Sequence, residues 1–254
     1  MSALSSMAII ILLVATVFPS LWLGLRLGSG KRTRGAPDQA HLGIIQSAIL
    51  GLLALVLGFS FSGAMSRYID RHDALATEAN AMMDAYDRAS LLPNAEGVRQ
   101  SLREYAALRL ELFRESRNEP AGQLERRMLD CYRSAQAALY DGVRAAPQYA
   151  LVCIQGLEAV QNEFTRRSAL DRRHLPLELV LVLIGSSCLA MGIIGYGVGL
   201  ADRRSLGSAL ALASLVTITL FVTIDFDRPR SGFITLDASP LENAARQMSG
   251  TPIL

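Results

Sequence analysis

Residues 42–65, LGIIQSAILGLLALVLGFSFSGAM, decide the fold. No Lys, Arg, Asp or Glu interrupts them, and a helix needs about 20 mostly apolar residues to cross a hydrocarbon core about 30 Å thick. Nothing breaks the chain directly afterwards: residues 66–92, SRYIDRHDALATEANAMMDAYDRASLL, contain neither Gly nor Pro, and the next proline is Pro93. The pattern predicts one helix, capped at its start by Asp38, that spans a membrane and runs on into water to near Leu92. At about 1.5 Å per residue, the water-exposed part would project about 40 Å.

Three further stretches meet the same length and charge criteria: Met7 to Leu25, Leu175 to Leu200, and Leu206 to Ile224. Their only acid is Glu178, next to Leu177 and Pro176 at the membrane edge, where the interface can solvate it. Met1 to Ser6 carries no positive charge, which argues against a cleaved signal peptide. The apolar share of 51% and the mean hydropathy of +0.29 follow from these four stretches. The expected fold is all-α: an integral membrane protein with four transmembrane helices in two hairpins and a helical extramembrane domain inserted between the second and third. The boundaries expected are 1–66 for the first hairpin, 67–174 for the extramembrane domain, 175–228 for the second hairpin and 229–254 for the tail.

Between the hairpins, Val98, Leu102, Tyr105, Leu108, Leu112 and Phe113 recur at helical spacing, with Arg99, Arg103, Glu104, Arg109 and Glu111 assigned to other faces. Asn118-Glu119-Pro120-Ala121-Gly122 breaks that helix, a second covers about Leu124 to Val143, and Ala145-Ala146-Pro147 breaks again. A third, from about Tyr149, places Leu151, Ile154, Leu157, Val160 and Phe164 on one side, and Pro176 fits the first turn of the third span. In the tail, Ser239-Pro240-Leu241-Glu242 reads as a capping box opening a short closing helix.

Small residues form seams inside the spans. Gly43, Ser47, Gly51, Ala54, Gly58 and Ser62 share one face of the second, and Gly185, Cys188, Gly192, Gly195 and Gly199 repeat the pattern in the third. The fourth offers Gly207, Ala211 and Ser214. Such seams let helix backbones approach closely, either within one subunit or between subunits.

Several chemistries lack their residues. A formal charge of +2 with no basic block carrying aromatics excludes nucleic acid as the partner. Cys131, Cys153 and Cys188 have no metal-ligand spacing and read as free thiols. Gly58-Phe-Ser60-Phe-Ser62 misses the final glycine of a serine-nucleophile motif, and His41, His72 and His174 lie outside the spans. No enzyme activity, metal or cofactor is expected.

Orientation rests on short-loop charge. Arg26, Lys31, Arg32, Arg34, Arg203 and Arg204 crowd two short loops, the first of which reads as flexible and rich in glycine (Gly28, Gly30, Gly35). The positive-inside rule then places the helical domain on the periplasmic side. Arg67, Arg71, Arg166, Arg167, Arg172, Arg173, Arg228 and Arg230 stand at the other side, accompanied by Asp70, Asp73, Asp171, Asp225 and Asp227, so a cytoplasmic domain is the alternative. Arg67, Asp70 and Arg71 are neighbours where the second helix leaves the bilayer. Asp225, Asp227 and Arg228 end the fourth span on that same side, close enough for an ion pair between helices. Glu78, Asn80 and Asp84 lie on the stalk, on a solvated or subunit-packing face.

The segment Gly58-Phe-Ser-Phe-Ser-Gly-Ala-Met-Ser-Arg-Tyr-Ile-Asp-Arg71, with Glu78-Ala-Asn80 and Leu91-Leu-Pro93, resembles a bacterial membrane family called bestrophin-like. Asp225-Phe-Asp-Arg-Pro-Arg-Ser-Gly232 and Ser239-Pro240-Leu241 resemble its second signature. The resemblance implies kinship with anion channels in which several four-span subunits surround one pore, set in membrane lipid of the bacterial plasma membrane. The calcium-binding acidic clasp and aromatic-lined neck of true bestrophins have no residue-by-residue counterpart here. The reading that follows is a homo-oligomeric channel for an inorganic anion, with the second helix lining the path through Ser60, Ser62, Arg67 and Arg71. The alternative is a non-transporting sensor or scaffold whose helical domain binds a partner protein.

Overall fold

The computed structural model describes residues 2–31, 39–115, 121–201, 205–228 and 232–250. Eight α-helices account for nearly all of them: α1 Ser2–Lys31, α2 Gln39–Ala89, α3 Ala95–Glu115, α4 Ala121–Ala145, α5 Ala150–Asp171, α6 Leu177–Leu200, α7 Leu206–Phe226 and α8 Ser239–Met248. Of these, α1, α2, α6 and α7 are long and apolar enough to cross a membrane. The chain divides into two compact units, Met1–Ile69 with His174–Thr235 and Asp70–Arg173 with Leu236–Leu254, and α2 supplies both.

In the membrane unit the tightest pairing is α1 with α6. Gly24 faces the Gly192 carbonyl, Gly28 the Tyr196 carbonyl, Gly195 the Leu21 carbonyl and Gly199 the Leu25 carbonyl, so a methyl group at any of the four would overlap backbone. Residue numbers rise together along the contact, so the two helices run parallel. Each contributes a Gly-xxx-Gly pair, the spacing that brings two membrane helices into backbone contact. The α1 glycines Gly28 and Gly30 therefore belong to a helix reaching Lys31, not to a flexible loop. Residues 32–38 and 202–204, which hold Asp38 and most of the expected basic loops, lie outside the described residues, as do 116–120 and 229–231.

Leu13, Val17 and Leu21 of α1, Leu53 and Leu57 of α2, Leu183 and Met191 of α6, and Leu220 of α7 form the core of this unit. The Gln46 side chain donates to the Ile193 carbonyl at 2.9 Å and covers Gly197, tying α2 to α6. A carboxamide in lipid without such a partner would cost on the order of a few kcal/mol.

The second unit packs α3, α4, α5 and α8 with the C-terminal part of α2 around a continuous core that includes Leu75, Met82, Leu102, Tyr105, Met128 and Leu157. The α2 helix ends at Ala89, three residues before the predicted Leu92, because Pro93 disfavours helix at the residue before it and Ser90 bonds back to the Asp87 carbonyl. At Gly156, α5 comes close to Ala85 and Arg88 of α2. Leu151, expected on the inner side of α5, is 68% exposed; a short 3-10 turn at Pro147–Tyr149 sets the helix to begin at Ala150. The α8 helix closes the unit through Tyr86 Oη donating to the Met248 carbonyl (3.0 Å) and Arg114 pairing with Glu242 (2.6 Å). Its start differs from a capping box: Ser239 is already helical, and Asp237 accepts both the Ser239 N–H (3.0 Å) and its hydroxyl (2.5 Å). Those two bonds hold the Asp237 carboxyl below the usual carboxylate range.

Candidate functional site

In the membrane unit the candidate residues gather where α2 and α7 leave the apolar layer. Arg67 Nε lies 3.2 Å from Asp227 Oδ1. The other Asp227 oxygen accepts the Leu175 N–H at 2.8 Å and stands 3.5 Å from His174 Nδ1. One carboxylate thus joins the middle of α2, the end of α7 and the approach to α6. Asp225, 1% exposed, accepts the N–H groups of Phe233 (3.1 Å) and Ile234 (3.0 Å) and the Ser6 hydroxyl (3.4 Å). Gly232 fits against this carboxylate, since a Cβ there would sit 2.6 Å from Asp225 Oδ1. Phe226 packs between Phe61 (5.7 Å) and Tyr68 (5.4 Å) of α2. The Asp225-Phe226-Asp227 run is therefore a clamp: two acids hold the backbone on either side while the ring between them grips α2.

The remaining candidates separate. Ser62, Asp70 and Asn80 are exposed, as is Arg228, whereas Ser60 is buried at 7%. Arg71 is 1% exposed and donates from Nε to the Leu170 carbonyl (3.3 Å) and from Nη2 to the Arg173 carbonyl, closing the C-terminal end of α5. Its guanidinium is thus occupied inside the chain. The glycine seams separate likewise. From Gly192 to Gly199 that of α6 is filled by α1, although a Cβ at Gly185 would meet nothing within 4 Å, as at Gly43, Gly51 and Gly58 of α2.

In the second unit, Glu78 is fully buried, which corrects its assignment to a solvated face. Arg109 grips it with two bonds, Nε–Oε1 at 2.5 Å and Nη2–Oε2 at 3.0 Å, and Arg167 Nε lies 2.9 Å from Oε2. Arg167 also pairs with Asp171 at 3.4 Å. Polarity alone places Arg109 on an outer face of its helix and Arg167 among the membrane-flanking charges, yet their positions carry the signal. Arg109 stands four residues after Tyr105 and seven after Leu102, on the apolar stripe of α3, and Arg167 stands three after Phe164 on that of α5. A charge at the centre of an apolar stripe needs a buried partner, and Glu78 is at the same kind of position on α2, three residues after Leu75 and four before Met82.

Alongside this cluster lies a cavity of about 310 Å³ between α3, α4 and α5, with Tyr105 and Phe164 in its wall. Burial, and then the Glu78 carboxylate, push the Tyr105 hydroxyl above the ordinary tyrosine range.

A comparison with curated proteins finds no match. The family model for the bestrophin-like domain matches residues 11–241. Among solved structures, the crystal structure of a bacterial bestrophin homologue from Klebsiella pneumoniae superposes with a TM-score of 0.72 at 14% identity, over 93% of this chain and 100% of that one. A substituted form of that homologue gives 0.72 at 13% identity, over 94% and 98%. At these identities the likeness shows the fold, and it extends from the four apolar helices through the inserted helical unit. With the family model covering most of its length, the chain belongs to the bestrophin-like family.

Proposed function

We propose that the chain forms a homo-oligomeric channel for inorganic anions in the bacterial plasma membrane, with the free face of α2 turned toward neighbouring subunits and the ion path. The observation that carries this reading is the contrast between the two glycine seams. The α6 seam is taken up by α1 at Gly195 and Gly199, while Ser47, Gly51, Ala54, Gly58 and Ser62 of α2 are exposed in the single chain. Small residues allow close backbone approach, and a second copy supplies helices to approach. Ala54 and Gly58 also border a cleft of about 330 Å³ between α2 and α7, room for side chains of a neighbour. The family and the fold of the Klebsiella pneumoniae homologue support the channel class.

Of the four residues expected along the path, Ser62 is the one this reading keeps as a lining group, joined by the exposed Ser66 one turn further on. Ser60 and Arg71 are buried, and Arg67 is engaged by Asp227, so those three are given to packing within the chain and not to the path. The basic residues Arg26, Lys31, Arg32, Arg34, Arg203 and Arg204 at the far ends of the spans support a cytoplasmic location there and a periplasmic helical unit. Arg26 stacked 4.8 Å from the Trp22 ring suits a membrane–water interface.

The test is mass measurement of the detergent-purified protein followed by planar-bilayer recording under a potassium chloride gradient. A multimer whose reversal potential moves toward that of chloride is the expected result. A strict monomer, or a multimer that passes no current, overturns the proposal and returns the chain to the sensor or scaffold reading.

A further inference from the structure

We infer that the cavity between α3, α4 and α5 binds a small organic monocarboxylate, held by the hydroxyl of Tyr105. Tyr105 is 2% exposed, lines the cavity, and its Oη has no hydrogen-bond partner among the described residues. A buried hydroxyl left unpaired costs about 1–3 kcal/mol, and phenylalanine would fill the same space without that cost. The group missing is an acceptor, because the neighbouring orphan is also a donor. Arg109 Nη1 is buried without a hydrogen-bond partner among the described residues, on a guanidinium 5.8 Å from the centre of the Phe164 ring that forms the cavity wall. Both unmet needs on this side of the domain are therefore for an oxygen that accepts, and the nearby guanidinium favours one with negative charge.

The remaining walls set the ligand's size and charge. Met128, Leu129 and Phe164 give an apolar body, and about 310 Å³ admits a few carbon atoms or one ring. Gln161 and Ser168 add polar contacts from α5. At the rim, exposed Arg172 attracts an anion while exposed Glu125 opposes a second negative charge, which selects a monocarboxylate over a dicarboxylate. Because burial and Glu78 raise its ionisation range, Tyr105 stays a donor throughout the physiological range.

The test uses full-length protein in detergent, with thermal shift and titration calorimetry against sodium butyrate, sodium benzoate, sodium succinate and butylammonium chloride at constant ionic strength. Butyrate or benzoate should bind and raise the melting temperature, while succinate and butylammonium bind at least tenfold more weakly. Tyr105→Phe should lower butyrate affinity about tenfold or more while leaving the unliganded melting temperature equal or higher, since it removes an orphaned hydroxyl. Leu129→Trp, at a 40% exposed position on the cavity wall, should block binding without disturbing the core, which gives a second reading if Tyr105→Phe fails to fold. Equal binding by Tyr105→Phe, equal binding of butylammonium, or no binding of either monocarboxylate, as for a cavity that holds water alone, overturns the inference.

Discussion

The same substitution at two membrane glycines should have opposite effects on the protomer. At Gly195 a methyl group would overlap the Leu21 carbonyl oxygen and sit 3.0 Å from both the Leu21 carbonyl carbon and the Leu25 nitrogen. All three atoms are α1 backbone, so no side-chain rotation relieves the overlap; the helices must separate. Separation would also loosen the adjoining contacts at Gly24, Gly28 and Gly199. Overpacking of this kind costs about 1–3 kcal/mol, and the rigid neighbour puts Gly195→Ala near the upper end. Replacing Gly by Ala returns up to about 1 kcal/mol of helix propensity, leaving a net loss of about 2 kcal/mol. At Gly58 nothing lies within 4 Å of the new methyl, so only the propensity contribution remains and the protomer is unchanged or gains up to about 1 kcal/mol. The two variants should differ by about 2–3 kcal/mol in sodium dodecyl sulfate unfolding followed by far-ultraviolet circular dichroism, measured in micelles dilute enough to hold single copies. Equal effects at the two positions, or a larger loss at Gly58, would refute the assignment of the α6 seam to α1 and of the α2 seam to other subunits.

Glu78→Ala leaves Arg109 and Arg167 buried beside each other without their shared carboxylate, so a loss of about 3–5 kcal/mol is expected in thermal unfolding. Glu78→Ala combined with Arg109→Met should cost clearly less than the sum of the single changes, a coupling a double-mutant cycle reads directly. Asp225→Asn weakens the charge-assisted bonds to Phe233 and Ile234 by about 1.5–3 kcal/mol and should expose the chain at 232–235 to limited proteolysis faster than in the parent. Burial raises the thiols of Cys131, with Glu104 adding to it, and of Cys153 above their ordinary value. Less thiolate is then present at neutral pH, so iodoacetamide labelling of both should remain slow until the pH passes the usual thiol range of about 8.5. Partly exposed Cys131 should label ahead of buried Cys153, as peptide mass mapping would show.

The spans were legible because the membrane imposes a long, uncharged stretch whatever its neighbours are, and α2 continuing past Met65 followed from the lack of Gly or Pro before Pro93. Which seam met which helix was not legible. Gly28 sits between Arg26 and Lys31, and composition there reads as a loop until the parallel contact with Tyr196 and Gly199 shows a helix. The charged cluster failed for another reason. The polarity of Arg109 points outward while its place on the Leu102–Tyr105–Leu112 stripe demands burial, and its partner Glu78 is separated from it by an entire helix turn-around that local spacing does not register. At the membrane edge, spacing and polarity identified Asp225 and Asp227, but only the chain's return at Gly232 reveals that one carboxylate holds the tail and the other holds α2.

In the proposed channel, the exposed face of α2 lines the ion path while its buried face does not. Ser62→Cys and Ser60→Cys, each in a background without the native cysteines, are to be recorded in bilayers before and after adding a negatively charged methanethiosulfonate reagent. Current through Ser62→Cys should fall on modification, and current through Ser60→Cys should not change. Block at Ser60→Cys with none at Ser62→Cys would contradict the claim.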